Sequence, residues 1–442
     1  MKTPHPQDLT VKNIFIFWFP LGATWLMMSA EGPFLSALIA RLAEPKYNLA
    51  AYGVAYALAL IVEAPIIMMM SASTALVKDN YSFNKLKKFT YTFIAGVTLL
   101  MVVLVIPGVF YLITEKLIGL PHRVSHLTHL ATIIMLPWPG AIGYRRFYQG
   151  ILIRNNLTRR VAYGTVVRIT TIAVTATIFF IFIDVPGVIV GAASLSIAVV
   201  AEATASRLMV NATLKQYHSV PSVTNNLLSY KEIFTFYYPL ALMSVLSLGV
   251  QPFVTFFVGQ SRMALESLAV LPVITSFVFI FRALGLSFQE VIIAKIGDDK
   301  SGYIPLRNFA AGMAVFLTLV ILSIAFSPLF NIWFKDVSGL SQSLTDFANL
   351  PLKIISIIPA LTVLLCFQRA ILVTDKNTKP ITWGTAIEFL VIVITMFISI
   401  NALSFVGAVA AMLSLVIGRI AANIFFTPYV SRSGKTGTKS FY

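Results

Sequence analysis

The sequence predicts an all-α integral membrane protein of twelve transmembrane helices, laid out as two parallel repeats of six. Composition, the placement of basic residues and an internal repeat carry that prediction. The chain of 442 residues is 58% hydrophobic and 11% charged, with a mean hydropathy of +0.85. Soluble domains run at about 45–50% apolar and about 25% charged. The apolar runs are long and continuous rather than alternating, which selects helices over a barrel. The net charge of +16 is explained by topology and not by nucleic acid. Of the loop cations, 21 Lys and Arg, Arg145 and Arg146 among them, fall on one face and 6 on the other. That bias places both termini in the cytoplasm.

Taken in order at about 20 residues per crossing, the spans are expected near 14–40, 50–77, 89–113, 128–152, 161–183 and 188–212, then 233–259, 265–293, 308–333, 348–372, 380–402 and 405–430. The start, MKTPHPQDLTVKN, lacks a short apolar core with a small-residue cleavage site. No removable signal is expected, and the first helix serves as one. The lone cysteine, Cys366, lies in an apolar run and permits no intrachain disulfide; a core position is expected for it.

The first span is unusual. It holds Pro20, Pro33 and a carboxylate, Glu31. A bilayer core cannot solvate freed backbone groups or a charge, so these features must face protein or a wet cavity. The pattern returns 219 positions later, where Pro239-Leu240 echoes Pro20-Leu21 and Pro252-Phe253 echoes Pro33-Phe34. At an offset of 220, Leu86-Lys87 matches Leu306-Arg307, Gly119-Leu120 matches Gly339-Leu340, Pro139 falls on Pro359 and Gly187 on Gly407. Six spans per copy is an even number, so both copies enter from the same side. The expected domains are a six-helix lobe over 1–212, a cytoplasmic linker over 213–231, a second lobe over 232–430 and a disordered tail over 431–442.

Charges deep in spans are costly unless paired or wet, which marks them as candidates for function. They are Glu31, Glu63, Arg168, Glu202, Arg282, Glu388 and Arg419. Arg168 and Glu388 share a repeat position, and Glu202 and Arg419 lie at similar depth. These four are expected either to form internal ion pairs, within or across lobes, or to line a cavity. Glu31, Glu63 and Arg282 adjoin the broken helices, together with Pro33 and Pro252. A cavity between the halves is expected there, with Glu31 and Glu63 as proton or sodium sites and Arg282 on the substrate side. Lys353 and Arg369 lie nearer the membrane faces, where snorkelling competes with attraction of an anion. His122, His126 and His129 would share a helix face, but no acid lies among them and Arg123 repels a cation. Exposed loop histidines are expected there, with no metal. No phosphate-binding glycine loop, catalytic triad or hydrolase motif is present in the sequence, so an enzyme is not expected.

Four segments resemble the progressive ankylosis family within the multidrug/oligosaccharidyl-lipid/polysaccharide (MOP) exporter superfamily, which includes the multidrug and toxin extruders (MATE). They are PLGAT at Pro20–Thr24, AAYGVAYAL at Ala50–Leu58, YPLAL at Tyr238–Leu242 and PLKIISIIP at Pro351–Pro359. The resemblance implies a V-shaped fold of two bundles and alternating-access export of a small organic solute. For the ankylosis-like branch that solute is a phosphate- or carboxylate-bearing anion. Lys353 stands where the branch has a basic residue, and is thereby a candidate anion contact. Glu31 is the only acid of the first helix, where many drug extruders carry aspartates. The expected protein is a multi-pass monomer of the cell inner membrane, powered by a proton or sodium gradient without a cofactor. Its partners are a small-molecule substrate and the bilayer. The alternatives are a flippase for a lipid-linked saccharide or phospholipid, and an extruder of cationic drugs.

Overall fold

The computed structural model describes residues 9–155, 157–219, 228–297, 300–375, 377 and 379–437. Among them ten helices are long and apolar enough to cross a membrane. The chain divides into two compact units, Met1–Ala37 with Ser261–Tyr442, and Leu38–Gln260. This division differs from the expected lobes. The first helix joins the C-terminal helices, and the seventh joins the N-terminal ones.

Helix α1 (Val11–Ser29) is capped by the Thr10 side chain, which accepts from Asn13 N–H at 3.3 Å. It stops at Ala30, and α2 (Glu31–Arg41) follows directly. Pro33 explains the break, since it has no N–H to continue the ladder. In the Leu38–Gln260 unit, α3 (Pro45–Glu63) and α4 (Met69–Leu76) replace the single span expected over 50–77. Pro65 sits in the gap, and its carbonyl accepts from Tyr237 Oη at 2.6 Å. Next come α5 (Asn80–Leu104), α6 (Pro107–Tyr111) and a π-helical turn, Leu112–Leu117. The span expected over 128–152 is also divided, into α7 (His122–Ile134) and α8 (Trp138–Arg154), with Pro137 between. Helices α9 (Thr158–Phe182), α10 (Gly187–Met209), α11 (Asn211–Ser219) and α12 (Tyr230–Gly259) complete the unit. Helix α12 runs through both Pro239 and Pro252, so the break expected in both copies occurs in the first alone.

The remaining unit contains α13 (Ala264–Lys295), α14 (Tyr303–Ala325), α15 (Leu329–Asn331) and a π-helical turn at Ile332–Val337. Helices α16 (Gln342–Ile355), α17 (Ile358–Thr374), α18 (Lys379–Asn401) and α19 (Gly407–Gly437) follow. Helix α11 occupies part of the expected linker, and α19 carries helix into the expected tail; residues 1–8, 220–227 and 438–442 lie outside the described residues.

Packing explains where the first and seventh helices belong. Trp18 Nε1 donates to Ser287 Oγ at 2.8 Å, and the Trp18 ring meets Phe309 edge-on at 5.9 Å. The Lys295 ammonium lies 4.2 Å from the centre of the Phe17 ring. On α12, Tyr237 meets Phe89 and Phe93 edge-on, at 5.9 and 5.6 Å.

Local backbone features recur at the repeat offset. The two π-helical turns begin 220 positions apart. Each is followed by a glycine in the left-handed region, Gly119 at φ +84° and Gly339 at φ +74°, a conformation that disfavours a Cβ. Leu120 N–H bonds Thr114 O at 2.9 Å, and Leu340 N–H bonds Phe334 O at 3.0 Å. Close packing also fixes Gly150 of α8, where an added Cβ would overlap Ser73 Oγ and the Met70 carbonyl. Gly150→Ala is expected to destabilise the protein by about 1–3 kcal/mol, seen as a lower melting midpoint in detergent.

Candidate functional site

Each unit holds one set of charges within its helices, built where helices break or cross. In the Leu38–Gln260 unit, Glu63 ends α3 and is 4% exposed. Trp138, the first residue of α8 beyond the Pro137 break, donates its indole N–H to Glu63 Oε2. A carboxylate at a helix C-terminus is disfavoured by the helix dipole, and here Arg145, Arg146 and Arg168 are the cations that act on it. Arg145, on α8, is ion-paired with Glu202 on α10, and both are buried. Gln149, one turn along α8, donates to the second Glu202 oxygen at 3.0 Å. Arg146 reaches only Met70 Sδ, at 3.7 Å.

In the other unit, Arg419 of α19 donates through Nε to Glu388 of α18 at 2.7 Å and through Nη1 to Thr362 Oγ1 at 3.1 Å. Arg369 of α17 donates to Thr385 Oγ1 at 2.9 Å. Arg282, midway along α13, makes no hydrogen bond or ion pair among the described residues, and its Nε is buried. It feels Arg419 and Glu388 electrostatically. Three guanidinium groups therefore share one carboxylate, Glu388.

Of the four charges expected to pair or to line a cavity, Glu202 is ion-paired with Arg145 and Glu388 with Arg419. Arg145 and Arg146 had been counted among loop cations; the structure places them inside α8. Arg369 is held among the helices, on Thr385 and within the field of Glu388 and Arg419. Lys353 holds its ammonium 4.9 Å from the Phe326 ring centre, away from that set's hydrogen bonds. Glu31 opens α2, with Pro33 in the same first turn, and Pro252 lies within α12. The histidines are not loop residues: α7 begins at His122. His129 is 9% exposed and its Nε2 donates to Val105 O at 2.7 Å, while His122 Nδ1 lies 2.7 Å from Glu115 Oε1. Cys366 is 1% exposed, in the core as expected.

One relation was not read from the sequence. Glu63 and Arg282 are 219 positions apart, as Arg168 and Glu388 are 220 apart. Where one unit couples Glu63 to Arg168, the other couples Arg282 to Glu388. The same two helix positions carry opposite signs in the two units.

No protein-family model and no curated protein sequence matches the chain. Solved structures do. A MATE-family multidrug-resistance transporter of the MOP superfamily, in an inward-facing conformation, aligns with a TM-score of 0.73 at 16% identity, covering 95% of this chain and 96% of that one. The lipid II flippase MurJ, in an inward closed conformation, aligns with a TM-score of 0.73 at 16% identity, over 93% of this chain and 87% of its own. A MOP-superfamily transporter from Pyrococcus furiosus, described as having a binding pocket of reverse polarity, aligns with a TM-score of 0.64 at 15% identity over 98% and 99%. The membrane-spanning helices of this chain thus have the fold shared by MATE transporters, MurJ and their MOP-superfamily relatives.

Proposed function

We propose that the protein is a secondary transporter that exports a small organic anion, bearing phosphate or carboxylate, by alternating access. The observation that carries this reading is the surplus of arginine inside the helices. One unit sets Arg282, Arg369 and Arg419 against Glu388, and the other sets Arg145, Arg146 and Arg168 against Glu63 and Glu202. Charges at membrane depth cost several kcal/mol each unless compensated, and a bound anion compensates cations. The shared fold supports a transporter rather than an enzyme, and the resemblance to the ankylosis-like branch supports the anionic substrate. The features recurring at an offset of 220 support twelve crossings in two six-helix copies, with both termini on the Lys- and Arg-rich cytoplasmic face of a cell inner membrane.

Glu31 and Glu63 are the proposed sites of the coupling ion, proton or sodium. In proteoliposomes, an imposed ion gradient is expected to accelerate anion flux. Glu31→Gln combined with Glu63→Gln is expected to leave flux that follows the anion gradient alone. Flux indifferent to the ion gradient in the unaltered protein would count against coupling, and flux of organic cations alone would count against the anion. A second reading, flipping of a lipid-linked anion, is favoured by the likeness to MurJ at the same TM-score as the MATE protein. A lipid-reorientation assay on the same vesicles separates the two.

A further inference from the structure

A groove of about 450 Å³ runs along the Leu38–Gln260 unit over α8, between α5 and α10. Its size falls in the range of small-ligand sites, about 300–1,000 Å³. Pro137, just before α8, and Gly140 and Ala141 of α8 lie along it, with Ile94 of α5 and with Val200 and Ala203 of α10. Val200 to Leu208 is a stretch of nine residues, or about 12 Å of helix axis. Both flanking helices are among those long and apolar enough to cross a membrane. Of its lining, Val200 and Leu208 are exposed and apolar, and exposed apolar side chains continue on the same two flanking helices at Leu99, Leu100 and Ile197. Such a rim suits hydrocarbon and not a water-filled solute path.

One end of the groove differs. Arg207 and Tyr144 line it there. The Arg207 guanidinium lies 5.3 Å from the Tyr148 ring centre and also donates to Asn211 Oδ1. Tyr148 and Tyr91 share a hydrogen bond at 2.7 Å, and Tyr144 packs on both rings. Lys87 places its ammonium 5.5 Å from the Tyr91 ring centre. No acidic residue lines the groove. This is the Lys- and Arg-rich end of the three helices, with Lys85 and Lys88 on α5 and Arg154 on α8. Basic pockets between membrane helices on that side recognise anionic headgroups. Tyrosines with an apolar body and a polar tip belong at the same depth.

We infer that this groove holds one acyl chain of an anionic phospholipid, with the headgroup phosphate on Arg207 and Lys87. The ligand belongs to the lipid surround and is separate from any transported solute, so the inference stands apart from the transport reading. The two cations, at about 1 kcal/mol each, predict roughly thirtyfold tighter binding of phosphatidylglycerol than of phosphatidylcholine.

The test measures melting midpoints of the purified protein in detergent, titrated with either lipid, alongside native mass spectrometry of retained lipid. Phosphatidylglycerol is expected to raise the midpoint and to be retained at one copy, whereas phosphatidylcholine does neither at equal concentration. Thr204→Trp, which fills the groove from its exposed wall, is expected to abolish both effects. Arg207→Gln is expected to keep chain binding but reduce the preference for the anionic headgroup to the roughly fivefold that Lys87 alone supplies. Equal response to the two lipids in the unaltered protein overturns the inference. So does an undiminished phosphatidylglycerol response in Thr204→Trp. If Thr204→Trp does not fold, Ala141→Phe blocks the same groove from its floor, with the same two outcomes.

Discussion

Replacing Glu202 with leucine is expected to cost about 3–5 kcal/mol of stability, the range for stripping the partner from a buried charge. Arg145 is 5% exposed and Glu202 1%. Without the carboxylate, the guanidinium stays in a low-dielectric interior, and the Gln149 amide loses its acceptor as well. The double variant, Arg145→Met with Glu202→Leu, is expected to recover most of the loss, because a well-packed apolar pair is often neutral relative to a buried ion pair. Unfolding followed by tryptophan fluorescence in detergent measures both. Glu44→Gln provides the contrast. It breaks an ion pair with Arg123 whose side chains are 43% and 57% exposed, so a change of at most about 1 kcal/mol is expected. A Glu202→Leu protein as stable as the parent would mean that Arg145 has another route to compensation.

Arg282→Gln is expected to produce an opposite pairing of effects. Arg282 has a buried Nε without a hydrogen bond and shares Glu388 with Arg419 and Arg369, so removing its charge relieves a desolvation cost and should leave the melting midpoint unchanged or higher. If the anion compensates this charge, its loss removes a contact of about 3 kcal/mol, or roughly a hundredfold in anion affinity. Binding measured by calorimetry, together with flux in proteoliposomes, reads the loss. A variant that is less stable and transports normally would assign Arg282 to structure. Arg282→Lys keeps the charge while losing the planar fork, and is expected to recover part of the affinity.

The helical membrane class was legible because hydropathy reports burial directly, without any knowledge of contacts. The breaks were less so. Pro65 and Pro137 lie within runs whose apolar character hardly changes across them, so a hydropathy reading carries one span through two helices. Pro252 shows the converse, since α12 absorbs it without stopping. In the sequence Arg145 and Arg146 read as loop cations, because the Glu202 that pairs with Arg145 lies 57 positions away on another helix. The match of Glu63 with Arg282 is hidden by a shift of register. The offset is 219 there and 220 from Leu86 onward, since the intervening connection is one residue longer in the second copy. Membership of α1 in the C-terminal unit had no sequence signal, because its apolar face fits either set of helices until Trp18 and Ser287 are brought together.

That membership has a consequence for biosynthesis. The bond from Trp18 to Ser287 joins residues 269 positions apart. At about 5–20 residues per second, a ribosome takes roughly 13–54 s to add that stretch. During this time the first helix has entered the bilayer without the neighbours it finally packs on. Trp18, Phe17 and the break at Ala30 must then be sheltered by lipid or by the insertion machinery. The other unit, by contrast, is continuous from Leu38 to Gln260 and has all its helices before α13 is made.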